Sequence, residues 1–114
     1  MNIVRRDARG RTMILWFIQK WMVPKGKVME HEELMKKWSA YATSQNKQNW
    51  YLSEPIGPIG SRIFIIRFGG FADMEDFFVK MDENEENIKL RDKWVCCIDS
   101  SSYEGFFWRE RALE

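Results

Sequence analysis

Three polar residues stand inside or beside apolar runs of this chain, and each side-chain type brings its own chemistry. Gln19 follows Met13-Ile-Leu-Trp-Phe-Ile, Arg67 interrupts Ile63 to Phe68, and His31 is the single histidine of the 114 residues. A histidine titrates near neutral pH and suits acid–base work. An arginine grips a carboxylate with a fork of donors. A glutamine offers an acceptor and two donors together. If Phe17, Gln19 and Trp21 face one interior, and Ile63, Ile65 and Arg67 face the same one, a polar pair sits in an apolar space. Trp50, on a short strand of its own, is added to them as an aromatic candidate. Gln19, Trp21, Arg67 and Trp50 are therefore the candidate ligand-binding set. A buried arginine needs an anionic partner. A ligand carboxylate satisfies it, and so does Glu104 or Glu54. Arg109 on the last apolar run is a second cation.

Other chemistries are poorly served. One histidine without a cysteine or carboxylate cluster does not make a zinc site. His31 also reads as a partly buried helix residue. Ser100, Ser101 and Ser102 form a polar run with no histidine near in sequence. Gly57 and Gly60 lack the lysine and following helix of a phosphate loop. Cys96 and Cys97 are adjacent, so a disulfide between them would join no distant parts of the chain. Reduced thiols fit a cytoplasmic location. No metal or cofactor is expected.

Composition narrows the class. Hydrophobic residues make up 45% and charged residues 31%, the balance of one globular domain. Net charge is +1, which gives no electrostatic case for nucleic acid or an anionic membrane. No stretch approaches the ~20 apolar residues of a membrane helix. Six Trp and eight Phe are many for so small an interior. Some of these rings are expected at an interface or around a pocket.

The elements follow from periodicity. Residues 1–11 read as a basic arm, and 12–114 as one domain. Met13 to Trp21 reads as a strand apolar on both faces. Val28 to Gln45 reads as a helix, with Val28, His31, Met35, Trp38 and Ala42 on one side. Trp50 to Leu52 is a short strand, joined through the Pro-Gly stretch 54–60 to the strand of Ile63 to Phe68. Gly69-Gly70 stops that strand. Asp73 is placed to cap a helix carrying Met74, Phe77, Phe78 and Met81. Asp82 and Glu85 have the spacing of a capping box for a third helix. That helix is expected to run near Asp99, followed by a serine loop and a strand over 103–111. Phe64, Ile66 and Phe68 should face the helices, and Ile63, Ile65 and Arg67 the opposite side.

Strand, helix, strand, strand, helix with an extra helix, strand predicts an α+β fold, βαββα(α)β. Its four-stranded antiparallel sheet carries the helices on one face. Strands apolar on both faces then need a second cover, and a second copy stacking sheet on sheet supplies it.

On the strand leading into Pro24-Lys-Gly-Lys and on RIFIIRFGGFADMEDFF, the chain resembles the dimeric α/β-barrel superfamily of ferredoxin-like protomers. This group includes NIPSNAP-like, antibiotic-biosynthesis-monooxygenase-like and EthD-like proteins. Phe17, Gln19 and Trp21 stand where NIPSNAP-like proteins often have Glu, Arg and Tyr, so the two charges are absent. His31 does not match the constellation of haem-degrading relatives. The resemblance implies a homodimer whose barrel pocket takes a small aromatic or acidic molecule, with cofactor-free oxygenase or isomerase chemistry. The alternative is a non-enzymatic assembly module with Trp21, Trp50 and Trp108 as interface anchors. RNA-recognition domains share the element order, but Ser61 to Phe68 has isoleucines where stacking rings belong.

Overall fold

The computed structural model describes residues 13–55 and 60–111. The expected arm 1–11 and the centre of the Pro-Gly connection, 56–59, lie outside them. Strand β1 runs Leu15–Met22, β2 Asn49–Ser53, β3 Ser61–Phe68 and β4 Asp99–Arg109. Helix α1 is Val28–Ser44, entered through a one-turn 3-10 helix Lys25–Lys27; α2 is Phe71–Glu83 and α3 Glu85–Val95. The strands pair antiparallel in the order β2-β3-β1-β4. This is the expected ferredoxin-like α+β architecture.

Each helix forms because its apolar spacing lays one stripe on the sheet. In α1 the buried positions are His31, Leu34, Met35 and Ala42, the i, i+3, i+4 pattern of one face. Asn46 stops the helix with φ 61°, a left-handed conformation asparagine tolerates. Its N–H donates to Thr43 O and the Lys47 N–H to Ala42 O, which satisfies two terminal carbonyls. The core joins Leu15 and Trp21 of β1, Phe64, Ile66 and Phe68 of β3, and Met35, Ala42 and Phe77 of the helices. Leu34, Leu90 and Cys97 close a second cluster between α1 and α3.

Three local expectations change. Asp73 does not cap α2 from outside. Gly70 is the N-cap, at φ 153° and ψ −177°, a glycine-only conformation. Asp73 sits in the first turn, buried, accepting the Gly69 N–H at 2.8 Å and the Lys47 ammonium at 2.6 Å. Asn84, not Asp82, caps α3: its Oδ1 accepts from the Glu86 and Asn87 N–H groups. The serine run belongs to β4, because α3 ends at Val95 and the strand opens at Asp99. There the β1–β4 register jumps between Lys20↔Glu104 and Met22↔Asp99. Ser102 stabilises this bulge, accepting the Met22 N–H at 2.8 Å and donating to Asp99 O at 2.6 Å.

Register decides the faces. Directly opposed residues share a side. Trp16↔Trp108, Ile18↔Phe106, Ile18↔Ile65 and Trp50↔Ile65 therefore lie together, away from the helices. Trp50, Leu52, Phe106 and Trp108 are exposed there. Trp16 and Trp50 stack with centroids 5.2 Å apart.

Candidate functional site

A cleft of about 240 Å³ separates the sheet from the helices. Its floor is Phe17, Gln19 and Trp21 of β1, Phe64 and Ile66 of β3, and Tyr103 of β4. Met35 and Trp38 of α1 and Phe77, Phe78 and Met81 of α2 form the roof, and Arg91 and Trp94 of α3 close one end. Two pairs of large rings meet edge to face along it. Trp94 stands at 89° to Trp21, with centroids 5.1 Å apart. Phe78 meets Phe17 at 80°.

Two polar groups face this apolar space from the floor. The Tyr103 hydroxyl donates to Gln19 Oε1 at 2.9 Å. Gly105 lies directly across from Gln19. A side chain at 105 would press on Tyr103 Oη and on the Phe17 ring, each 3.3 Å from its first carbon. The absent side chain leaves the pair room. Burial raises the Tyr103 pKa, so the phenol stays protonated and acts as a hydrogen-bonding group. Arg91 Nη1 is held by Asp82 at 3.0 Å.

Trp21 is fixed from behind. It is 1% exposed, and its indole N–H donates to Nε2 of His31, itself 0% exposed, at 2.9 Å. The accepting Nε2 places the ring proton on Nδ1. That nitrogen lies 3.2 Å from Tyr51 Oη and 3.7 Å from Glu32 Oε1. Tyr51 donates to Glu32 at 2.9 Å, and Arg62 Nε to Glu32 at 3.0 Å. Burial lowers the His31 pKa; Glu32 opposes that shift and Arg62 adds to it. Burial, then the hydrogen bond to Glu32, raises that of Tyr51.

The sheet divides the expected ligand set. Gln19 opposes Phe64 and Trp16 opposes Arg67, so Gln19 and Trp21 line the cleft while Arg67 and Trp50 lie on the open face. Strand alternation alone left the phase of β1 against β3 open by one residue, and that residue decides the face. Arg67 meets neither Glu104 nor Glu54. Its Nη2 is 3.7 Å from Glu110 Oε2, and its Cζ lies 5.7 Å from the Trp16 ring centroid. Glu104 opposes Lys20, and Arg109 opposes Leu15 at the far end of β4. Sequence reasoning missed Tyr103, Arg91 and Trp94 in the cleft. Tyr103 keeps the alternation of Gly105 and Phe107 and stacks on Trp21; the face of this last strand was not assigned from the sequence.

Among the described residues no group of three or more His, Cys, Asp or Glu could hold a metal ion. Cys96 is exposed and Cys97 buried, both as free thiols. No helix among them is long and apolar enough to cross a membrane.

No protein-family profile matches the chain, and no curated protein matches it in sequence. Solved structures do match its shape. A NIPSNAP family protein from Agrobacterium tumefaciens superposes with a TM-score of 0.76 at 14% identity, over 100% of this chain and 95% of that one. SnoaB, a cofactor-independent oxygenase from Streptomyces nogalater, gives 0.70 at 13% identity, over 89% and 96%. A NIPSNAP domain protein from Burkholderia xenovorans gives 0.71 at 13%, over 86% and 95%. The chain shares the ferredoxin-like α+β fold of these proteins. At such identities the likeness is one of fold. In this ferredoxin-like protomer the cleft and the open sheet face are separate surfaces, backed by opposite sides of one sheet.

Proposed function

We propose that this chain binds a small, flat, largely apolar molecule in the cleft between sheet and helices, and that its open sheet face stacks on a second copy. The observation that carries the binding reading is the unfilled cleft with the Gln19–Tyr103 pair in its floor. Either orientation of the Gln19 amide leaves the pair with both donors and acceptors to spare, side by side. That arrangement suits a hydroxyl or carbonyl on an aromatic ring. Small-molecule sites run from about 300 Å³ upward, so the occupant is a compact ring system.

The acidic ligand expected from Arg67 loses its basis, since Arg67 lies across the sheet with Glu110 and Trp16. The oxygenase reading follows SnoaB. Cofactor-free oxygenation of an aromatic needs a base to ionise the substrate. Among the described residues, those lining the cleft include no carboxylate, histidine or lysine. Binding is thus better supported than proton abstraction. The assembly reading draws on the exposed Trp50, Leu52, Phe106 and Trp108, and a sheet-stacked homodimer accommodates both.

Calorimetric titration of 2-naphthol and naphthalene into the full chain tests the cleft. At a few tenths of a kcal/mol per ligand atom, 2-naphthol should bind with a Kd on the order of 100 µM. Naphthalene, which offers the pair nothing, should bind more weakly. Equal affinities, or no binding of either at millimolar concentration, refute the reading.

A further inference from the structure

The His31 cluster lies outside the cleft, yet it touches the cleft through one bond. The Trp21 indole N–H donates to His31 Nε2 at 2.9 Å, and both residues are buried. That bond exists only while Nε2 carries a lone pair. A proton on Nε2 sets two N–H groups against each other, and Trp21 loses its acceptor. A buried N–H without a partner is costly, so the indole must turn to find another.

Turning Trp21 disturbs the cleft directly. Tyr103 stacks on it at 20° with centroids 6.4 Å apart, and Trp94 meets it edge to face at 5.1 Å. Tyr103 is also the residue that holds Gln19. Three elements thus follow one indole.

The surroundings of His31 set the direction. Glu32 on its own helix, Tyr51 on β2 and Arg62 on β3 face its Nδ1 side. Trp21 on β1 faces Nε2, with Tyr103 of β4 stacked against the same indole. The neutral ring, with its proton on Nδ1, satisfies every one of these contacts. The doubly protonated ring breaks the one to Trp21.

We infer that His31 positions Trp21, and that a proton on His31 Nε2 releases Trp21 and loosens the cleft floor, so that the cleft holds its ligand at neutral pH and gives it up in mild acid. This rests on the proposed binding reading. Burial, which disfavours the charged imidazole, places the step below the ordinary histidine range near 6.5. Below the midpoint each unit of pH cuts the competent fraction, and with it 2-naphthol affinity, by about tenfold.

The test follows three signals in the full chain across pH 7.5 to 5. They are the nitrogen-15 shifts of the His31 ring, hydrogen exchange of the Trp21 indole N–H, and calorimetric affinity for 2-naphthol. One shared midpoint supports the inference. His31→Gln supplies an acceptor that takes up no proton, and should keep the indole protected and the affinity flat. Trp21→Phe has no bond to break, so its weaker affinity should also be flat with pH. Titration of His31 with the Trp21 exchange unchanged overturns the inference, as does a wild-type pH profile in either variant. If 2-naphthol binds at no pH, the cleft reading falls and takes the affinity step with it. The indole signal then decides the His31–Trp21 coupling alone.

Discussion

Replacing Trp108 by serine tests whether the open face pairs with a copy of itself. Trp108 lies opposite Trp16 on that face and is 62% exposed, so the protomer does not depend on it for folding. A tryptophan buries up to about 250 Å², which leaves roughly 150 Å² uncovered on the single chain. Covering it is worth about 4 kcal/mol at 25 cal/mol per Å². A two-fold axis counts the residue twice, giving about 8 kcal/mol as a ceiling. Area converts incompletely to affinity. Interface tryptophans commonly cost about 2 kcal/mol each when truncated, so about 4 kcal/mol per dimer is expected, a weakening of roughly a thousandfold in Kd. Sedimentation equilibrium across the micromolar range reads this directly, with circular dichroism to confirm that the variant folds. Val79→Ser, at an exposed position of α2, is the control and should leave the dimer unchanged. A wild-type chain that sediments as a monomer at about 100 µM would refute the reasoning. So would a Trp108→Ser variant that dimerises as tightly as wild type.

Other substitutions probe the remaining features. Lys47→Met leaves the Asp73 carboxylate buried without its cation, a loss of about 3–5 kcal/mol; at about 4 °C per kcal/mol for this length, Tm should fall by roughly 12–20 °C in a thermal melt. Gly60→Ala forces a side chain onto a residue at φ 95° whose first carbon would lie 2.4 Å from Val23 O, and denaturant titration should show a loss of at least about 2 kcal/mol. Because the His31 pKa is lowered, the native state binds this proton less readily than the unfolded chain. The associated stability is fully present above pH about 6.5 and is lost as pH falls through the native value; His31→Gln should flatten that part of the stability profile. Tyr103→Phe removes the hydroxyl that holds Gln19 and should erase the preference of the cleft for 2-naphthol over naphthalene in calorimetry.

Much of the fold was legible because its signals are local. The two glycines after Phe68, the stripe of α1 and the apolar run of β1 each place an element without reference to the rest. Phe64, Ile66 and Phe68 face the helices as the alternation of β3 requires. Gln19 was legible as a polar residue in an apolar strand, but its face was not. Alternation names two sets of residues and does not say which set of one strand meets which set of its neighbour. That step depends on pairing across the chain, and it separated Gln19 and Trp21 from Arg67 and Trp50. His31 was legible as a residue on the buried side of α1. Its partners Trp21, Tyr51, Glu32 and Arg62 come from four elements, and no spacing rule joins them. Tyr103 was hidden for the same reason as the face of Gln19: alternation groups it with Gly105 and Phe107 but does not say which side of β4 meets the helices.

The strand order carries a further consequence, one of timing. β1 is the first strand of the sheet in the chain, but it sits in the interior between β3 and β4. Its first neighbour follows α1 and its second follows all three helices. The run Leu-Trp-Phe-Ile therefore leaves the ribosome long before either side of it can be covered. Pairing so distant in sequence is slow to form, and an apolar strand left waiting tends to join others of its kind. Yield of this protein on expression should thus depend on how fast β4 arrives and docks. Substitutions in the last strand that leave the finished fold unharmed can still divert the chain into aggregates while it is being made.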